Sequence, residues 1–510
     1  MSGLREIAEA MGLSAVPAAP GEVLVECTEA EFKDAVAGLA ERGFLSDLFA
    51  TATDDGHRLT AVFSTIGDPG WLRLQARLAG ETYSAVTPAV HGASWYEREI
   101  AEVFGLIPHG HPALLPVRLH GGEPAKFGRR RRSRAGMESI EELNETAPIQ
   151  GQGVFQLPLG PVRSGPQESA HFLFTSGGED LVMVRPWLGY KHRAVEEMAI
   201  GRQADSALIL AERLAGTSTF ANGIAFAQAV ERAGEVEVSD EARRARALLA
   251  EMERLHSHFA SLAKVADSTG LTVAAAQYNL LREEALQGCA ALTGHRYLRG
   301  ILAIGGLAGP VAAGGLRELS GSVVRWRRRS RGLEELLEGT ATFVDRLETT
   351  AILASEYAHE HYLVGPVGRA SGVDRDSRRD HPYAGYPELE FQVLAKSQGD
   401  ALARVRVLLF EVGEALSLVE QLLCAEFVAG VAAQPSLKAG SALGWAEAPG
   451  GETLHLVDLD SSGRISRWRA RPPAAVNWHV YSHACASGNN LTDYPVIEAS
   501  FALSVAEFDR

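Results

Sequence analysis

Cysteine is scarce in this chain. Only four occur in 510 residues, Cys27, Cys289, Cys424 and Cys485, and none forms a Cys-x-x-Cys pair. A zinc or iron–sulfur signature built on local thiolate pairs is therefore excluded. Scattered single cysteines suit a reducing compartment and buried apolar roles. No Gly-x-Gly-x-x-Gly, phosphate-binding loop or His-Glu-x-x-His motif is present, so no self-contained nucleotide, nicotinamide or zinc-hydrolase site is expected. No apolar run is long enough to cross a bilayer. The most apolar stretch, residues 301–316, is short, rich in glycine and interrupted by Pro310, and reads as a buried turn-rich segment. The opening residues, MSGLREIAEAMGL, lack an apolar core, so no signal peptide is expected. Positive charge is in deficit: the formal net charge of -15 argues against nucleic acid as a partner.

What is present is ample apolar material, 46% of residues, enough for several domains and a sizeable core. Residues 1–120 read as a small α/β domain. A short helical pattern covers 31–43, and strand patterns cover 45–53 and 57–65, joined by the turn Asp54-Asp55-Gly56. A further strand at 71–78 and a helical stretch at 95–104 follow. Residues 121–150 read as a linker carrying a basic run, Lys126 to Arg134, with Arg129–Arg134 its densest part. A solvated loop and a docking strip for an acidic neighbour or anionic lipid both fit it.

Residues 151–510 turn mostly helical, giving an α+β chain. Ser239 and Asp240 start a helix ending before Gly270, with Leu248, Met252, Leu255, Phe259 and Leu262 on one face. A second long helix spans about 400–428, striped by Val405, Leu409, Val412, Leu416, Val419 and Leu423. Alternation over 451–469 suggests a small β element. His256 with His258, and His359 with His361, lack the i, i+4 spacing of paired metal ligands and read as surface or capping residues. Residues 365–383 pack glycine, arginine and aspartate into an irregular stretch. Such a loop faces a cleft or interface, or staples two helices through an arginine–aspartate network.

Several of these segments also resemble known families. Trp95-Tyr-Glu-Arg-Glu-Ile-Ala-Glu-Val-Phe-Gly-Leu-Ile-Pro-His-Gly-His-Pro112 resembles the signature of the 30-kDa subunit of respiratory complex I, with Glu102 where that family has aspartate and Ala113-Leu-Leu-Pro116 departing from it. The remainder resembles the 49-kDa subunit and its relatives, the large subunits of membrane-bound [NiFe] hydrogenases. The matching segments are Gly189–Glu196, Glu253-Arg254 with His258, Arg282-Glu283, Thr293–Arg296, Gly365–Tyr383 and Glu447–Glu452, where Gly450 replaces arginine. Arg467–Arg471 with Asn477-Trp478 is similar to the formate hydrogenlyase and hydrogenase-4 group, which fuses both parts in this order.

The resemblance also shows what is missing. Residues 213–222 and 500–510 resemble the two segments that hold the nickel–iron centre, but Ala215, Ser218, Ser504 and Glu507 stand in the four cysteine positions. Alanine and hydroxyl groups do not replace soft thiolates. The resemblance therefore implies no metal ligand and no cofactor held by this chain alone, with an iron–sulfur cluster in a partner small subunit. It implies membrane-arm subunits as further partners and a peripheral place on the cytoplasmic face of the membrane. Quinone is the implied candidate ligand, lined by Ser218, Asn222 and Glu507, with His192, Ser218 and Asn222 as candidate proton donors. The family's quinone-site histidine is missing from the loop Gly160–Pro166, and Gly216 stands where its tyrosine belongs. By family analogy His192, Arg193, Glu196, Arg369, Asp374 and Asp376 line the coupling route. The expected cavity lies where 213–222, 365–376 and 500–510 meet. A non-catalytic scaffold and a hydrogenase with altered ligands are the alternatives.

Overall fold

The computed structural model describes residues 2–65, 67–118, 149, 151–163, 167–424 and 435–510. The basic run lies outside them, as do most of the 121–150 linker and part of the early loop.

The N-terminal unit is built on a five-stranded sheet. Its strands run in the order Ala15–Pro17, Glu22–Cys27, Asp68–Leu78, Gly56–Thr65 and Phe44–Thr53. The second and third pair in parallel and the others antiparallel. The hairpin closes with Thr53 opposite Gly56, as the Asp-Asp-Gly turn predicts. Helix Glu29–Ala40 starts on a capping box: the Thr28 side chain accepts from the Glu31 amide, and Glu31 accepts from the Thr28 amide. Helix Ser94–Phe104 ends on Gly105, whose φ of 69° places it in the left-handed region glycine favours.

Strands Phe44–Thr53 and Gly56–Thr65 are buried along almost their whole length, Ser46, Asp47, Thr60 and Ser64 included. The sheet is covered on both faces. Phe49, Val62 and Trp71 belong to the same apolar core as the long helices of the following unit, so the two parts share a core across the sheet.

That second unit centres on helices Thr219–Ala233, Asp240–Ser268, Thr272–Thr293, Ala313–Glu338 and Ala401–Leu423. Ser239 and Asp400 cap two of them through their side chains, at the boundaries the sequence predicts. Two three-stranded antiparallel sheets flank the bundle, Val154–Leu159 with His171–Gly177 and Asp180–Trp187, and Gly440–Ala448 with Gly451–Leu459 and Ile465–Arg471. The latter lies directly on helix Thr219–Ala233. A Cβ on Gly444 would sit 2.1 Å from the Ala225 carbonyl oxygen, so only glycine permits this approach. Among the described residues no helix is long and apolar enough to cross a membrane.

Candidate functional site

Helix Thr219–Ala233 and the C-terminal turn Val505–Phe508 bring the two metal-site-like segments together. Ser218 Oγ donates to Glu507 Oε1. Asn222, one turn along, donates from Nδ2 to the same oxygen at 3.0 Å and to Ser218 Oγ at 3.1 Å. Thr453 Oγ1 donates to Asn222 Oδ1 at 2.8 Å. Ser218, Asn222 and Glu507 are all buried, and burial raises the Glu507 carboxyl above its ordinary range. Ser504 serves elsewhere. Its hydroxyl accepts from the Glu507 amide and donates to Glu168, whose carboxylate also takes the Ala506 amide at 2.7 Å. Ala215 contributes a buried methyl. One methyl, two engaged hydroxyls and a carboxyl tied to its neighbours do not fit a nickel–iron centre, which needs free thiolates.

Behind this trio lies Glu253, which the amides of Phe220 and Ala221 hold at 2.6 and 2.9 Å. Burial pushes its carboxyl up to about 8, and nearby Glu507 adds to the effect. The Glu-Arg motif on helix Asp240–Ser268 thus grips the start of helix Thr219–Ala233.

Arg193 staples the two segments. Its guanidinium donates to the carbonyls of Arg213 at 2.5 Å, Leu214 at 2.9 Å and Ala506 at 2.9 Å. His192 lies against Asp509, with Nδ1 3.1 Å from its carbonyl. Glu196 accepts from Arg510 Nε at 3.0 Å and from the Ala470 amide at 2.7 Å. The partner that sequence reasoning missed is Glu99, in the 30-kDa-like signature. Its Oε1 accepts from Arg118 at 2.5 Å, Arg469 at 2.9 Å and Arg510 at 2.8 Å. Burial alone would raise Glu99, but Arg469, Arg510 and Arg118 outweigh it and hold the carboxyl well below its usual range.

Arg369 belongs to a separate buried lattice of charge. It donates to Glu447 at 2.8 Å, Glu411 at 2.8 Å and the Arg375 carbonyl at 2.7 Å, and lies 3.5 Å from Asp376. Asp376 takes a two-pronged bond from Arg378, at 3.0 and 2.7 Å. Arg378 also reaches Glu251, which Arg254 and the Tyr386 hydroxyl share. Arg378 and Arg369 overcome burial and hold Asp376 down to about 2. Glu447 moves the other way: burial and the Asp376 charge push it up to about 7. The stapling network that the 365–383 composition suggests is therefore real. It joins two short helices, Gly365–Ala370 and Ser377–Asp380, to the bundle.

Two expectations need correction. Asp374 does not join Arg369 and Asp376; it lies at the surface, paired with Arg379 at 2.8 Å. The stretch turns at Val373–Arg375, pointing alternate side chains out and in. His256 and His258 are buried inside a helix, neither surface nor capping residues, whereas His361 caps the C-terminus of helix Ser355–Glu360, as expected, with Nδ1 2.9 Å from the Tyr357 carbonyl. Helix Asp240–Ser268 is enclosed on every side between Ala245 and Phe259, so even residues off its apolar stripe are inside. His258 meets Glu411 at 2.8 Å, and burial drives His256 down to about 3.

The fold and these joined segments define a class: a 30-kDa-like region fused to a 49-kDa-like region of complex I type. Residues 25–124 match the family described as the 30 Kd subunit of respiratory-chain NADH dehydrogenase, and residues 267–428 match its 49 Kd subunit. An NADH-quinone oxidoreductase subunit of Streptomyces coelicolor is 30% identical over 367 residues, covering 69% of this chain and 94% of that protein. The chain belongs to the 49-kDa subunit family of respiratory-chain NADH dehydrogenase, with the 30-kDa-type region ahead of it. Formate hydrogenlyase subunit 5 of Escherichia coli is 29% identical over 90% of this chain and 83% of its own length. Among solved structures, a chain of the membrane-bound sulfane sulfur reductase, an archaeal respiratory membrane complex, superposes with a TM-score of 0.64 at 25% identity. The match covers 71% of this chain and all of that one.

Proposed function

We propose that this chain is a peripheral, cytoplasmic-face subunit of a complex I-like or hydrogenase-4-like membrane oxidoreductase, coupling electron transfer to ion translocation without a nickel–iron centre of its own. An iron–sulfur small subunit and membrane-arm subunits are its partners in this reading. The observation that carries it is the Ser218–Asn222–Glu507 trio, in which the polar atoms at two of the cysteine-equivalent positions, Ser218 and Glu507, are spent on each other and on Asn222. A quinone headgroup needs a proton donor at its carbonyl oxygens. Ser218 and Asn222 already serve Glu507, so quinone entry here requires the trio to open. His192 is the remaining candidate and is only part-buried. Glu253 and Glu447, held near neutrality, are the carboxyls best placed to gain and lose a proton during coupling.

The test is the metal and subunit content of the intact complex, purified from native membranes through a tag on this chain. Absence of nickel together with a co-purifying iron–sulfur subunit supports the reading; one nickel per chain overturns it. The closed trio also favours a second reading, a subunit that only holds the complex together. Glu447→Gln separates the two in the assembled complex. Turnover falls if the chain takes part in coupling and is unchanged if it is a scaffold.

A further inference from the structure

Helix Ala313–Glu338 is fixed on one side and bare on the other. Leu319, Val323, Trp326, Ser330, Leu333 and Leu337 face the bundle. Arg327 and Arg329 pin its flanks, to Glu420 at 2.7 Å and Glu284 at 2.6 Å. The opposite face carries Arg317, Gly321, Val324, Arg325, Arg328, Arg331 and Gly332, all exposed. These positions recur at helical spacing and span about 21 Å at the usual rise per residue. Among the described residues Arg325 donates only to Ser322, on its own helix. None of Arg317, Arg325, Arg328 and Arg331 makes an ion pair among the described residues. Carboxylates flank the stripe at Glu318 and end it at Glu334 and Glu335. A Cβ added at Gly332 would meet open space, so a flat partner can lie close to the backbone.

We infer that this arginine stripe docks on the anionic phospholipid headgroups of a membrane. The chain carries a net charge of -15, so a continuous positive face runs against its average and orients it toward a negative surface. Four guanidiniums suit phosphate, which they grip with paired N–H groups. A protein partner would call for aromatic or arginine anchors set in desolvated pockets around an apolar centre. Here the only apolar side chain within the stripe is Val324, and no aromatic residue stands in it. Charge without an anchor, on a convex helix, fits a headgroup layer.

This inference rests on the membrane-complex reading for where lipid is met, but its test stands apart. The full chain is sedimented with vesicles of phosphatidylcholine alone or mixed with phosphatidylglycerol. The expected result is binding to the anionic vesicles only, lost at high salt. R317Q/R325Q/R328Q/R331Q should bind at least about tenfold more weakly, while the fourfold lysine variant keeps binding. All four sites are exposed, so matching melting curves confirm that the variants fold. Failure of the native chain to bind anionic vesicles, or undiminished binding by the glutamine variant, overturns the proposal. Nickel in the purified complex would sink the functional reading and leave this one intact.

Discussion

Replacing Glu99 with glutamine tests the joint between the two halves of the chain. Glu99 accepts hydrogen bonds from Arg118, Arg469 and Arg510, at 2.5, 2.9 and 2.8 Å. Glutamine keeps the volume, removes the charge and turns one acceptor into a donor facing guanidiniums. Breaking a buried ion pair costs about 3–5 kcal/mol. Asp47 still holds Arg469 and Glu196 still holds Arg510, which lowers the expected loss to about 2–3 kcal/mol. Because Arg510 loses one of its two carboxylate partners, the loss should concentrate in the segment that carries Ser504 and Glu507. Hydrogen exchange of the amides of residues 505–510 reads it directly, with exchange roughly a hundredfold faster in Glu99→Gln. The sign with pH follows from the depressed Glu99 carboxyl. Its contribution is complete above the ordinary value of 4.5 and disappears as pH falls through the lower folded value. The native segment should therefore loosen in acid, and the variant should show less further loosening. Exchange at residues 505–510 within about threefold of the native rate at neutral pH would refute the latch.

The other predictions concern the buried carboxyls. Glu253 has a folded value of about 8 against an ordinary 4.5, so its stabilisation is full below 4.5 and is lost as pH rises to about 8; unfolding midpoints should fall over that window in the native chain and fall less in Glu253→Gln. Glu507, its carboxyl raised by burial, should tolerate Glu507→Gln with a loss under about 1 kcal/mol in denaturant unfolding, whereas Glu507→Ala removes the acceptor that Ser218 and Asn222 share, leaves a cavity and costs about 2–4 kcal/mol. Arg369→Ala leaves Glu411, Glu447 and Asp376 without their shared cation and should cost at least about 3 kcal/mol, with Arg369→Lys recovering only part of it, in the same assay.

Much of the fold could be read from local pattern. The Asp-Asp-Gly hairpin, the Ser239 and Asp400 helix starts and the stripe on helix Ala401–Leu423 all follow from turn chemistry and period. The pairing of 213–222 with 500–510 was legible only through family likeness, since nothing local joins segments nearly 300 residues apart. Glu168 carried no signal at all, because its role depends on amides in the last turn of the chain. Glu411 carried none either, since Glu414 stands amid the same apolar positions and only the packing shows that Glu411 is the one Arg369 and Arg254 meet. His256 and His258 misled because period finds the apolar stripe of a helix, not how completely neighbours enclose it.

The space where residues 213–222 meet 500–510 could be filled with apolar side chains or closed by polar groups that satisfy one another. Ser218, Asn222, Thr453 and Glu507 take the second course. A satisfied polar cluster fixes a single arrangement of the segments it joins, whereas an apolar plug of equal volume tolerates small shifts. The same clasp sits between Arg193, which ties 213–214 to 506, and Glu253, which holds the start of helix Thr219–Ala233. On the proposed reading this rigidity is the purpose of the clasp. It keeps the C-terminal turn in register with Glu99 and Arg510, so that a change of charge at Glu253 or Glu507 acts on a joint that has only one closed state.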